Sequence, residues 1–399
     1  MSATKHMSAF QQSARRIVVV GTVASNPYAG MAWMHMQIAA GLRRLGHDVY
    51  YFETTSSWPY DPIRNTTVND SAYALPYLKR VAESFELGER WAYRRSFSDK
   101  AWFGLGRAKA EELLAHADVV LNVAGATRFA EEGLKIGRLV YFGTDPGHHE
   151  IAFAKGDENI RTLIEEHDDY VTYGENIGTP DCPIPPLPHF RSRTRQPILL
   201  HLWQSGPPSK KEFTTVGNWK QTGRDIDFAA ELYHWSKHHE FLKFIDLPGR
   251  IGQPIEIATG LANLSAEERQ LLDSHEWRLV DAHPFTTDPW PYRDYVQSSR
   301  GEFTVAKDLN VRLRSGWFSE RSACYLAAGR PVITQDTGFG KFIPTGEGLF
   351  SFNGMEEIVA AFDAINSDYE KHSRAARAIA EEYFNAGTVL RKVMQDLGL

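Results

Sequence analysis

The stretch 301–340, GEFTVAKDLNVRLRSGWFSERSACYLAAGRPVITQDTGFG, leaves few choices of fold. A short apolar run at 303–306 predicts a buried strand. The polar, cationic loop after it holds Lys307, Arg312 and Arg314. Ser319 stands where a helix N-cap is expected, and a helix is predicted over 320–328. Gly329 ends it, and Arg330-Pro331 lead into a second buried strand at 332–334, whose end carries Gln335, Asp336, Thr337 and Gly338. The unit is strand, loop, helix, strand. It places free backbone N–H groups at Ser319, Glu320, Arg321 and Ser322 beside fixed positive charges. A helix start of that kind binds anions and suits a diphosphate.

The same alternation runs through the rest of the chain. RIVVVG at 16–21 predicts a strand, 31–45 a helix with Met31, Met34, Ile38 and Leu42 on its apolar face, and 47–53 a second strand. The loop TVASNPYAG has only Gly21 and Gly30 and lacks GxGxxG, which counts against a dinucleotide. A long loop there makes room for a substrate at the carboxyl end of a sheet, with Asn26, Tyr28 and Gly30 as acceptor candidates. Helices are predicted at 78–85 and 99–117, and strands at 118–123, 138–142 and 168–173. A second alternation begins with 198–202 and 213–216. It continues through strands at 255–258 and 278–280 and helices at 236–244, 292–298, 355–365, 368–384 and 388–397. The proline-rich stretch 180–197 between the two series reads as a linker. The expected organisation is a loose leader at 1–15, one doubly wound domain at 16–192, a second at 193–384, and a terminal helix at 385–399 packing back on the first.

Composition narrows the class. A chain of 399 residues exceeds one ordinary core, and 42% hydrophobic with 24% charged residues fits a soluble globular enzyme. A net charge of −6 argues against nucleic acid or an acidic membrane as partner. No apolar run reaches the ~18 residues of a membrane span. The N-terminus lacks the apolar segment of a signal peptide. Two cysteines, Cys182 and Cys324, rule out a disulfide framework, and a cytoplasmic location is expected.

Two doubly wound domains with an anion site in the second resemble the GT-B fold of nucleotide-sugar glycosyltransferases, an α/β architecture of two Rossmann-like domains facing across a cleft. The resemblance is specific at 316–333. The large retaining group has a Glu-Gly-Phe-Gly loop before a helix ending in Ala-Cys-Gly-x-Pro-Val-Ile. Here Gly316-Trp317-Phe318-Ser319 and Ala327-Ala328-Gly329-Arg330-Pro331-Val332-Ile333 stand at those places. The resemblance implies sugar transfer from a nucleoside diphosphate sugar, UDP- or dTDP-linked, to a hydroxyl of a small-molecule or glycan acceptor. It implies no cofactor beyond that co-substrate and no metal, the leaving diphosphate being neutralised by cations and helix dipole. The chain departs from the group where its paired glutamates would stand, since Gly316 and Cys324 occupy those positions. Gln335 and Asp336, with Thr337 and Gly338, are then the candidates for holding the sugar, as acidic–amide pairs do in inverting relatives; the retaining relatives remain the preferred reading. A nucleotide-sugar 2-epimerase of the same fold and a two-domain sugar-binding protein are the alternatives.

Each candidate has a plain structural reading beside it. Lys307, Arg314 and Arg321 are either phosphate contacts or ordinary ion-pair partners. Gly217-Asn218-Trp219 follows a predicted strand; Trp219 either stacks on the base or packs in the core, packing being preferred. Cys324 reads as a small buried hydrophobe and His35 as packing. Asp145, His148 and His149 follow a buried strand end, where retaining relatives carry a histidine facing the sugar; Asp145 either orients a histidine or deprotonates the acceptor. Adjacent pairs such as His148-His149 and His238-His239 do not share a helix face, so metal binding is the weaker reading.

Overall fold

The computed structural model describes residues 13–399 and holds two mainly parallel sheets. The expected leader lies mostly outside the described residues. Arg15 does not belong to it, because its backbone N–H donates to His47 Nδ1 and its guanidinium to Asp118.

The first sheet comprises β1 (Arg16–Val20), β2 (Asp48–Glu53), β3 (Trp91–Arg94), β4 (Trp102–Gly104), β5 (Val119–Val123), β6 (Leu139–Gly143), β7 (Asp169–Thr172) and β8 (Phe190–Arg193). Their order is β8-β7-β6-β5-β1-β2-β3-β4, parallel except for β4. The Val-rich β1 is the switch point. It pairs with β2 and β5, Val19 standing opposite Tyr51 and Leu121, and residues 17–20 are fully buried. A strand covered on both faces needs such a continuous apolar run. The second sheet, all parallel, comprises β9 (Phe213–Val216), β10 (Ile255–Thr259), β11 (Arg278–Asp281), β12 (Gly301–Thr304), β13 (Val332–Gln335) and β14 (Leu349–Phe352). Its order, β11-β10-β9-β12-β13-β14, is the doubly wound arrangement, with the switch point between β9 and β12.

Several local expectations are corrected. The helix predicted over 99–117 is the antiparallel edge strand β4 followed by a shorter helix, Arg107–His116, and β3 is a strand that the pattern does not announce. Trp91 to Arg94 has no alternation to betray it, since all four residues are buried. The proline-rich stretch is not a bare linker, because it contains β8. The strand predicted at 198–202 is a 3-10 turn at Leu200–Leu202, with Ile198 bridged only to Asn385. The chain therefore crosses between the sheets over 194–212. The loop after β12 contains a short helix, Asp308–Arg312.

The domains meet along an apolar cluster that is continuous across them. Trp33, on the first helix Ala29–Arg44, packs its ring 4.6 Å from Trp203 and 5.5 Å from Trp290 and donates its indole N–H to the Pro289 carbonyl. The last helix, Ala386–Asp396, returns to the first domain, where Gly41 on Ala29–Arg44 lies against Leu390. Burial of this kind, at about 25 cal/mol per Å² of apolar surface, is the main force joining the halves. Two glycines allow the backbones to meet elsewhere. Gly316 has φ +75°, and a Cβ there would lie 2.6 Å from the Asn176 backbone nitrogen; at Gly147, φ +110°, it would lie 2.1 Å from Leu309 Cδ2. A side chain at either position would be strained in backbone and would push the domains apart. Among the described residues no helix is long and apolar enough to cross a membrane.

Candidate functional site

The carboxyl ends of the two sheets face each other, and polar contacts cross between them. Trp317 Nε1 donates to the Thr144 carbonyl at 3.1 Å, and Asn176 Nδ2 to the Arg314 carbonyl at 2.9 Å. Lys307, just past the end of β12, reaches Asp145, just past the end of β6, at 2.5 Å. Strand ends at which helices begin leave side chains and free amides pointing into such a cleft.

Lys307 is one of four cations gathered there. Its ammonium stands 3.2 Å from the ring centre of Trp235, and the Arg224 guanidinium stands 5.2 Å from the same ring. Lys237 lies 5.5 Å from the Trp317 ring. Arg321, on the helix Glu320–Ala327, is bound to Glu302 and donates to the Val216 carbonyl and Thr304 Oγ1, each at 2.8 Å. Glu302 and Asp145 are the carboxylates that bear on this group. Arg224 and Lys237 make no ion pair among the described residues. Burial lowers the Lys307 pKa while Asp145 opposes that shift. Lys237 is pushed well below its ordinary value by burial, then by Arg321 and Lys307. Repulsion between neighbouring cations with too few counter-charges marks a place that an anion would stabilise.

His148 and His149 open the short helix His148–Ala154 and diverge. His149 is held by Tyr141, whose hydroxyl meets Nδ1 at 2.5 Å, and burial lowers its pKa to about 4. His148 turns toward the second domain, its ring edge-on to Trp235 at 5.7 Å, and is lowered by burial and by Arg224. Asp145 orients neither histidine. One oxygen takes Lys307, and the other, Oδ1, is buried with no partner.

Other expected residues are placed as follows. Ser319 sits at the N-cap, but its side chain makes no capping hydrogen bond, and Ser322 Oγ is fully buried and unpartnered. Glu320 turns away to accept from Gln37 of the first domain at 2.8 Å, and burial raises its pKa to about 8. The Glu320 carboxyl is therefore committed elsewhere, while the backbone amides at the helix start and the Ser319 and Ser322 hydroxyls hold no partner among the described residues. Arg314, left-handed at φ 48°, pairs with Asp336 at 3.2 Å. Asp336 also accepts from the Gly338 N–H, Thr337 donates to the Trp317 carbonyl, and Gln335 Nε2 donates to Glu240 at 2.7 Å. All of these contacts lie within the second domain. Trp219 is core, packed 5.7 Å from Phe241; Gly217 and Asn218 beside it are exposed, and Gly217 lies next to Arg321. Cys324 is buried, as is His35, which is hydrogen-bonded to the Met31 carbonyl. Asn26, Tyr28 and Gly30 lie on the loop and helix start after β1. Glu53 ties that loop down by accepting from the Ala24 and Ser25 N–H groups, and Tyr28 stacks on Tyr60 at 5.4 Å.

Arg224, Trp235 and Lys237 are the residues sequence reasoning missed. They flank a small hairpin, Ile226–Phe228 and Glu231–Tyr233, that leans onto the first domain, Lys155 Nζ bonding the Asp227 carbonyl at 2.9 Å. Lys237 immediately precedes a five-residue helix, His238–Leu242, and that position is its one visible signal.

No family model and no curated protein matches the chain. Solved structures do. Anabaena Alr3699/HepE in complex with UDP superposes with a TM-score of 0.56 at 11% identity, covering 96% of this chain and 99% of that one. Sucrose-phosphate synthase from Thermosynechococcus elongatus gives 0.54 at 13%, covering 96% and 98%. A glycosyltransferase from Rickettsia africae gives 0.55 at 10%, covering 96% and 97%. Likeness over nearly the whole of each chain means that both domains and their mutual arrangement are shared, and the fold is GT-B.

Proposed function

We propose that the chain is a glycosyltransferase. It moves a sugar from a nucleoside diphosphate sugar, UDP- or dTDP-linked, to a hydroxyl of a small-molecule or glycan acceptor, without a metal. One observation carries the reading: Lys237 and Arg224, uncommitted to any carboxylate among the described residues, stand beside Lys307 and the open amides of the Glu320–Ala327 helix, where two doubly wound sheets face each other. That HepE is described with UDP-glucose supports the donor class.

The chemistry follows from where charge develops. As the bond from the sugar C1 to the diphosphate breaks, its electron pair goes to the diphosphate oxygen. Fixed cations and helix amides stabilise that oxygen without reorganising, and so replace the charge a metal would bring. The incoming diphosphate competes for Lys307 and frees Asp145. Asp145 then takes the acceptor proton as the acceptor oxygen bonds C1, with His148 facing the sugar. The apolar seam keeps the reacting centre from water.

The test is a thermal-shift panel of UDP, dTDP, GDP and ADP, followed by donor hydrolysis assays with the sugar nucleotides of whichever base binds. Stabilisation by one nucleoside diphosphate, with slow release of its sugar, is expected. No stabilisation by any member would end this reading.

A further inference from the structure

Three of the four cleft cations rest on indole faces. Lys307 and Arg224 share Trp235, and Lys237 sits on Trp317. Trp235 is nearly fully buried, and Trp317 is fixed from the other domain by its bond to the Thr144 carbonyl. Arg321, the fourth, differs. It is closed off by Glu302 and two further acceptors and has little charge left to offer.

We propose that Trp235 and Trp317 are positioning residues for the diphosphate, holding its cations in place on aromatic faces that the ligand need not displace. The proposal rests on the glycosyltransferase reading. A carboxylate could hold a lysine equally well, but it would repel the ligand and would have to be desolvated or moved when the ligand arrives. A ring quadrupole attracts a cation yet carries no net charge, and the attraction strengthens where water is excluded. The ring also fixes the direction of a long, flexible side chain, so less ordering entropy is lost on binding. Among the described residues, Asp145 is the one carboxylate that touches any of the three cations, and it comes from the opposite domain.

The probes are UDP and uridine, titrated calorimetrically into the wild-type protein, W235F, W235L, K307A and W235L/K307A. W235L is expected to weaken UDP by about 5- to 30-fold while leaving uridine unchanged, and W235F to stay within about threefold of wild type. The loss should shrink in the K307A background, because the ring then has one cation fewer to position. Equal losses for UDP and uridine, a phenylalanine no better than leucine, or a loss undiminished without Lys307 would each overturn the proposal. Should W235L not fold, W317L repeats the test on Lys237 with the same pair of probes: a loss confined to UDP supports the proposal, and an equal loss for uridine overturns it. A wild-type protein that binds UDP no better than uridine would instead remove the glycosyltransferase reading on which the proposal stands.

Discussion

Lys307 Nζ and Asp145 Oδ2 are 2.5 Å apart, yet one residue follows a strand of the second sheet and the other a strand of the first. The pair joins a group expected at the diphosphate to a group expected at the acceptor. It also leaves Asp145 Oδ1 buried and without a partner.

Removing either half of this pair should have opposite consequences. Lys307→Ala should weaken UDP by about 1.5–3 kcal/mol, the worth of a charge-assisted hydrogen bond. Asp145→Asn should leave UDP affinity equal or slightly tighter, since Lys307 is released, while donor turnover falls. Calorimetry on both variants checks this. Equal weakening would make the pair a structural latch between the domains.

The two histidines should separate by readout. His148→Ala should lower kcat for donor hydrolysis by about 10²-fold or more, as for a group acting in the transition state, with little change in melting temperature. His149→Ala should mainly lower the melting temperature, because the Tyr141 hydroxyl is left buried without its partner, at about 1–3 kcal/mol. The reverse pattern would move the sugar-facing role to His149.

Arg321 should matter more to folding than to binding. Arg321→Ala strands Glu302, which is fully buried, and should cost about 3–5 kcal/mol in urea unfolding. Arg321→Ala with Glu302→Gln should recover much of that. Arg314→Ala removes one partly exposed pair with Asp336 and should change stability by about 1 kcal/mol at most. A large loss of UDP affinity in a fully stable Arg321→Ala protein would restore its role as a phosphate contact.

Glu320 should make stability fall with rising pH. Its carboxyl is held protonated to about pH 8 in the folded chain, whereas an unfolded glutamate titrates near 4.5. The folded state therefore binds the extra proton between those values, and stability declines across them and levels off above pH 8. Glu53, raised to about 7, acts in the same direction, and His35, His149 and His167, lowered to about 4, act oppositely below 6.5. Lys237 and Lys307, pushed down by burial, also act oppositely, so the Glu320 contribution is read as the difference in slope between wild type and Glu320→Gln, at most about 1.4 kcal/mol per pH unit. Glu320→Gln keeps an acceptor for Gln37 and should remove that contribution in denaturant titrations. An unchanged slope would mean that Glu320 is ionised in the folded protein.

What the amino-acid order determines by itself is the repeated strand–helix unit. Runs such as Val18–Val20 are apolar on both faces because they lie inside a parallel sheet, and the Gly329-Arg330-Pro331 break marks where a helix must stop. Local sterics and burial periodicity write these features into neighbouring residues, so the doubly wound class and the 316–333 likeness are legible without any fold in hand. The partners of the charged groups are not legible that way. By sequence Arg321 is either a phosphate contact or an ion-pair partner, and only the fold shows β12 bringing Glu302 against it. Lys237, to which the sequence assigns no role, is brought over Trp317 only by the fold. Coulombic and cation–π energies depend on distances between residues as far apart in sequence as Lys307 and Asp145, and on how dry their surroundings are. Only the tertiary packing sets those two quantities, within the second domain for Arg321 and Lys237 and between the domains for Lys307 and Asp145.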